Sequence, residues 1–251
     1  MFRIILFLAL FARIAAQAET ADPEIGRMLE RALADAENFR KQLRTIQYEA
    51  RMHVQEWDGR GRWRGTADGV AIVRPGDPKP MMFVSREVHG KVRLPENSDD
   101  SKDKDEKEVT LQEFAREHRI AERFAFEVTG SEEVAGERAR RVSFNPKPNQ
   151  PEKNTADRFL DTISGTAWVT EGGNKLVKFE MQLARPFQLF WIFAVLKELT
   201  IRYELLEPGD ILGHAKLQVA FALRTPIYSI RQLHDVEMDK FRRREAVAAA
   251  R

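Results

Sequence analysis

At 251 residues, with 41 basic and 39 acidic side chains and 32% of positions charged, the chain is long enough to bury a core and lacks the bulk positive charge that captures nucleic acid. It has no cysteine. That excludes disulfides, a thiolate nucleophile, a cysteine-ligated metal and the lipidated cysteine of a bacterial lipoprotein.

The first eighteen residues, MFRIILFLALFARIAAQA, set Arg3 ahead of the apolar run Ile4–Ala12 and end in the small-x-small pattern Ala16-Gln17-Ala18. This is the layout of a secretory signal peptide, 1–18. A short membrane anchor is the other reading, but Arg13 interrupts the run, and a spanning helix needs about 20 residues. Cleavage is expected after Ala18, taking the chain from 251 to 233 residues. Losing Arg3 and Arg13 takes the basic count from 41 to 39, equal to the acidic 39, so the exported chain is formally neutral.

Asp22-Pro23 reads as a helix cap with Pro in the first turn. Ile25, Met28, Leu29, Ala32, Leu33, Ala36, Phe39 and Leu43 then form one stripe of an amphipathic helix. From Ile46 to Gln55 the period becomes two, with apolar residues at every even position, the mark of a half-buried antiparallel strand. Asp58–Gly61 supplies a turn, and Trp63 begins the return strand. Gly69–Arg74 and Met81–Val88 read as strands divided by the Pro-rich turn 75–80. Residues 95–108, PENSDDSKDKDEKE, carry dense mixed charge with no aliphatic or aromatic side chain, and read as a solvated loop.

Thr110–Arg123 reads as a second helix, with Leu111, Phe114, Ala115, His118 and Ala121 on one side. Strands follow around Phe124–Thr129, Arg140–Asn145, Gly165–Thr170 and Lys175–Leu183, with a short helix at 155–162. Three more are expected at Leu199–Leu205, Lys216–Arg224 and Ile227–Met238. Residues 241–251 read as a flexible basic tail. The sum is one α+β domain, 19–240, built on a curled antiparallel sheet of about ten strands and covered by the N-terminal helix and the second helix.

Between two of these strands lies PFQLFWIFAVL, 186–196, in which eight of eleven residues are large and apolar. Its length cannot span a bilayer. It either fills the core or forms a greasy lip at a cavity mouth, with Phe187, Phe190, Trp191 and Phe193 against a ligand.

Catalytic chemistry finds little support. His234, Asp235, Glu237 and Asp239 are the densest candidate ligand set, but strand alternation sends His234 away from the three acids. No Gly-x-Ser-x-Gly or phosphate loop occurs. Arg60, Arg62 and Arg64 beside Trp63 hint at nucleic-acid contact, but a solvated hairpin tip on an exported chain is the better reading.

The helix-to-strand opening at 22–55, WDGRGRWRGTADGVAIVRP at 57–75, FEVTGSEEVAGERARRVSFNP at 126–146 and GTAWVTEGGNKLVKFEMQL at 165–183 together resemble the outer-membrane lipoprotein-sorting (LolA/LolB-like) superfamily. The resemblance implies a periplasmic half-barrel whose apolar concave face takes lipid or lipoprotein acyl chains, without catalysis, metal or cofactor. It also implies that Arg74, in Arg74-Pro75, helps hold the lid closed. Expected partners are a lipid or lipoprotein acyl chain, an envelope protein and, peripherally, a membrane surface. A ligand-free interaction or sensor module of the same fold is the alternative.

Overall fold

The structure is a computed structural model that describes residues 38, 41–42, 44–77, 79–94, 111–171, 175–190, 194–209 and 213–244, without the side chains of Leu111, Gln112, Arg116 and Phe190. The expected N-terminal helix, the charged loop 95–108 and the signal peptide lie outside these residues, save for a few positions at the end of the helix.

The first three strands among the described residues are β1 (Ile46–Asp58), β2 (Trp63–Val73) and β3 (Met81–Gly90). Helices α1 (Leu111–Glu117) and α2 (Ile120–Arg123) lead into β4 (Phe124–Val134) and β5 (Glu137–Pro146). After α3 (Thr155–Leu160) come β6 (Ile163–Thr170), β7 (Leu176–Leu183), β8 (Phe187–Phe190), β9 (Ala194–Glu207), β10 (His214–Arg224) and β11 (Ser229–Arg243). All eleven strands join one antiparallel sheet, ordered β3-β2-β1-β11-β10-β9-β7-β6-β5-β4, with β8 pairing β9 off this path. The sheet curls but does not close; β3 and β4 are its edges.

Alternation decides the faces. One row of opposed residues crosses all ten strands of that order: Phe126, Phe144, Gly165, Met181, Ile201, Val219, His234, Val54, Ala67 and Val88. Every member but His234 is apolar or glycine, so burying this face is what holds the sheet in register, since a slip of one residue would expose it all. Phe179, Met181 and Leu217 are almost wholly buried on it, each worth about 1.5–3 kcal/mol of transfer free energy. Gly165 is required at its place. A Cβ there would lie 2.1 Å from the Glu180 carbonyl oxygen and 2.6 Å from the Phe144 ring, which stacks on Phe179 at 5.8 Å.

Four sequence expectations change. The second helix is two: Arg119 takes the left-handed conformation (φ 48°), which ends α1 and starts α2. Beyond these helices and α3, no helical cover of the sheet lies among the described residues. The return strand is continuous from Trp63, with Gly65 and Gly69 packed against β3 rather than breaking it. The last strand extends to Arg243, past the expected start of the tail at 241, because Arg243 pairs with Ile46 and Phe241 stacks on Tyr48 at 4.9 Å. Finally, within PFQLFWIFAVL residues 187–190 and 194–196 are strand rather than connection. Phe187 pairs with Leu196 and Phe190 with Ala194, so β8 continues along the same edge of β9 that β7 uses.

Candidate functional site

The apolar face reaches the end of the sheet at Phe187. Beyond a bulge at Ala222 and Leu223, the pairs Ile230–Leu223, Leu223–Leu196 and Leu196–Phe187 carry it to β8. Phe187 is 5% exposed and meets Phe159 of α3 edge-on at 5.3 Å. It is therefore a wall of the core where the core ends, rather than a free flap. Leu189 beside it is half-buried. Phe190 pairs through its backbone, and Trp191 and Phe193 lie outside the described residues.

Arg74 sits at the opposite end. It follows Val73, which pairs with Tyr48, whereas Phe187 belongs to the row that ends at Asp58. Its backbone N–H donates to Pro80 across the β2–β3 turn (2.7 Å) and its carbonyl accepts from Asp77 (3.0 Å). The strand register thus keeps Arg74 apart from Phe187.

Two buried polar clusters flank the apolar face, and neither was legible as a set. In the first, His118 Nδ1 lies 2.7 Å from Asp157 Oδ1. The Arg123 guanidinium donates to the carbonyls of His118 (3.2 Å), Asp157 (3.3 Å) and Pro151 (2.7 Å), and to the Asp161 carboxylate. Asp157 also accepts from the Lys153 N–H, while Asn154 caps α3 by accepting from the Asp157 N–H. Burial works to raise the Asp157 pKa, but hydrogen bonds from His118 and Lys153 and the charge of Arg123 outweigh it and hold it below the usual carboxylate range. His118, which the sequence places on the apolar side of its helix, is one arm of this clamp joining α1, α2 and α3.

In the second cluster Glu56, with no exposed surface, accepts from the Arg93 N–H and from Gln232 Nε2, both at 2.7 Å, and faces Arg64 at 3.2 Å. Gln232 passes the network on to His234 Nε2 (2.9 Å). His234 stacks on Phe221 at 5.7 Å, and burial lowers its pKa, which favours the neutral ring in the apolar row.

Asp235, Glu237 and Asp239 point to the other face. There Gln218 Nε2 donates to Asp235 (2.8 Å), and Arg51 meets Asp239 (2.8 Å) and Glu237 (3.7 Å). No group of three His, Asp or Glu that could hold a metal occurs among the described residues. That face also carries an open groove of about 620 Å³, lined by Arg51, His53, Asp68, Ser85 and Glu87 among others. His53 Nδ1 lies 2.7 Å from Asp68 there. Among the described residues no serine or threonine hydroxyl is hydrogen-bonded to a histidine, so neither histidine–aspartate pair is joined to a nucleophile.

No known family matches the chain, and no curated protein matches it. Among solved structures it is similar to the MucA/MucB complex of Pseudomonas aeruginosa (11% identity, 84% of this chain and 100% of that one, TM-score 0.25). It is similar also to a LolA superfamily protein of Nitrosomonas europaea (8% identity, 87% and 93%, TM-score 0.25). A third is a putative outer membrane lipoprotein-sorting protein domain of Vibrio parahaemolyticus (8% identity, 88% and 95%, TM-score 0.25). Likenesses at this TM-score decide nothing about fold or function, and the fold rests on the strand register above.

Proposed function

We propose that the chain is an exported, non-catalytic binding protein that holds the acyl chain of a lipid or lipoprotein against the apolar face of its sheet. The supporting observation is the row across ten strands, apolar or glycine at every position but His234, of a sheet that curls without closing. Such a face must be covered by something apolar, and an unclosed sheet can exchange part of its cover without breaking its own ladder. In this reading Phe187 is the inner wall at that mouth, Phe190, Trp191 and Phe193 are assigned to the lip over which the chain enters, and Arg74 steadies the far end. The site of action is the periplasm.

The second reading is a ligand-free envelope interaction module. It is favoured by how little of the face is open, Phe179, Met181 and Leu217 being 0%, 1% and 0% exposed. Native mass spectrometry of the purified protein separates the two. Retained lipid, displaced by a fluorescent fatty acid, supports acyl-chain binding. A lipid-free protein that binds no fatty acid refutes it and leaves the interaction module.

A further inference from the structure

One polar side chain interrupts the apolar row, and the network behind it fixes what that side chain offers. Gln232 Nε2 donates to Glu56 Oε2 at 2.7 Å and to the Arg93 carbonyl at 2.8 Å. Both partners are acceptors, so the amide cannot be turned round, and its oxygen faces His234 Nε2 at 2.9 Å. An amide oxygen accepts and never donates. His234 Nε2 must therefore carry the ring proton, and in the neutral ring Nδ1 is left with a lone pair.

His234 Nδ1 takes no hydrogen bond from any described residue and is not sealed inside the protein. Alternation sends the ring to the apolar face, opposite Val219 on one side and Val54 on the other. That face is open around it. Phe221, which stacks on the ring, and Leu199 and Met52 are partly buried, whereas Phe179 and Leu217 are closed. An acceptor thus stands within the accessible part of an apolar surface.

We propose that His234 Nδ1 reads a neutral hydrogen-bond donor, a hydroxyl or an amide N–H, carried on the apolar chain of the ligand. Water can supply that donor while the face is bare. A plain acyl chain laid across the ring displaces the water and leaves the acceptor dry, whereas a donor on the chain replaces what water gave. A carboxylate or phosphate would bring acceptors to an acceptor, with Glu56 two residues further along the same face, so the ionic head of the ligand belongs elsewhere. This role rests on the acyl-binding reading above and narrows it to acyl chains that bear a donor.

The test is calorimetric binding, to protein from cells expressing the full chain, of octadecanoate, of octadecanoate with a mid-chain hydroxyl, and of a secondary amide of the same chain length. The hydroxyl ligand, the amide or both should bind at least about tenfold more tightly than plain octadecanoate, and which of them does so identifies the source of the donor. His234→Phe keeps a stacked ring and removes the acceptor, and should level the affinities. If that variant melts early, nitrogen NMR of the parent's histidine rings decides instead: His234 should be protonated at Nε2, and its Nδ1 signal should move with the donor-bearing ligand and not with plain octadecanoate. Equal affinities in the parent, a ring protonated at Nδ1, or a preference that survives His234→Phe overturns the proposal and leaves acyl binding standing. Failure of all the ligands to bind removes both.

Discussion

Replacing Phe187 with alanine tests whether the aromatic stretch belongs to the core. The ring is 5% exposed, lies opposite Leu196 and meets Phe159 edge-on. Removing a buried phenylalanine costs about 3–5 kcal/mol, the lost transfer energy plus the cavity left behind. Phe187 sits where the core ends, beside half-buried Leu189, so partial collapse of the site is expected and the low end applies, about 3 kcal/mol. In a domain of this size that is a fall in melting temperature of about 6–12 °C. Urea unfolding followed by circular dichroism reads it as a lower midpoint with an unchanged slope. A loss below about 1 kcal/mol would show that the ring carries no core packing, and the wall assigned to it would have to be withdrawn.

Two other outcomes follow from the clamp and the sheet. The folded-state pKa of Asp157 is depressed, so its stabilisation is complete above the unfolded value of about 3.9 and is lost as pH falls through the folded value. Unfolding between pH 7 and 2 should therefore show an acid loss in the parent that is shallower in Asp157→Asn; parallel curves would remove the clamp from the account. Gly165→Ala should destabilise by about 2–3 kcal/mol, because its methyl meets a backbone carbonyl that cannot move without breaking the β6–β7 ladder. A thermal melt matching the parent would contradict that packing.

Much of the sheet could be read from alternation alone. The even positions of Ile46–Gln55 are apolar, and Tyr48, Ala50 and Val54 are indeed buried. The divergence of His234 from Asp235, Glu237 and Asp239 followed from the same period. What alternation misses is pairing across distance. Phe241 looks like part of a loose tail until Tyr48 is set beside it, and Phe187–Phe190 looks like a connection until β9 supplies its partner. The buried clamp escaped for a related reason. Arg123 and Asp157 look like surface residues in their own segments and His118 like one more member of an apolar helix side, and only the packing of α3 beside α2 turns them into one network. At the candidate site, the register also parts Arg74 from Phe187, which spacing along the chain could not show.

The pairing of β1 with β11 also governs how the molecule can be made. The first strand of the sheet finds its neighbour in the last, from Ile46 with Arg243 to Asp58 with Ile230. Among the described strands, the ladder joins the β1–β3 hairpins to the array from β4 to β10 only through β11. Loop closure over almost the whole chain must precede that union, a slow step for any sheet. Until β11 has been made the two arrays remain unjoined, so completion of the sheet waits for the last strand of the chain.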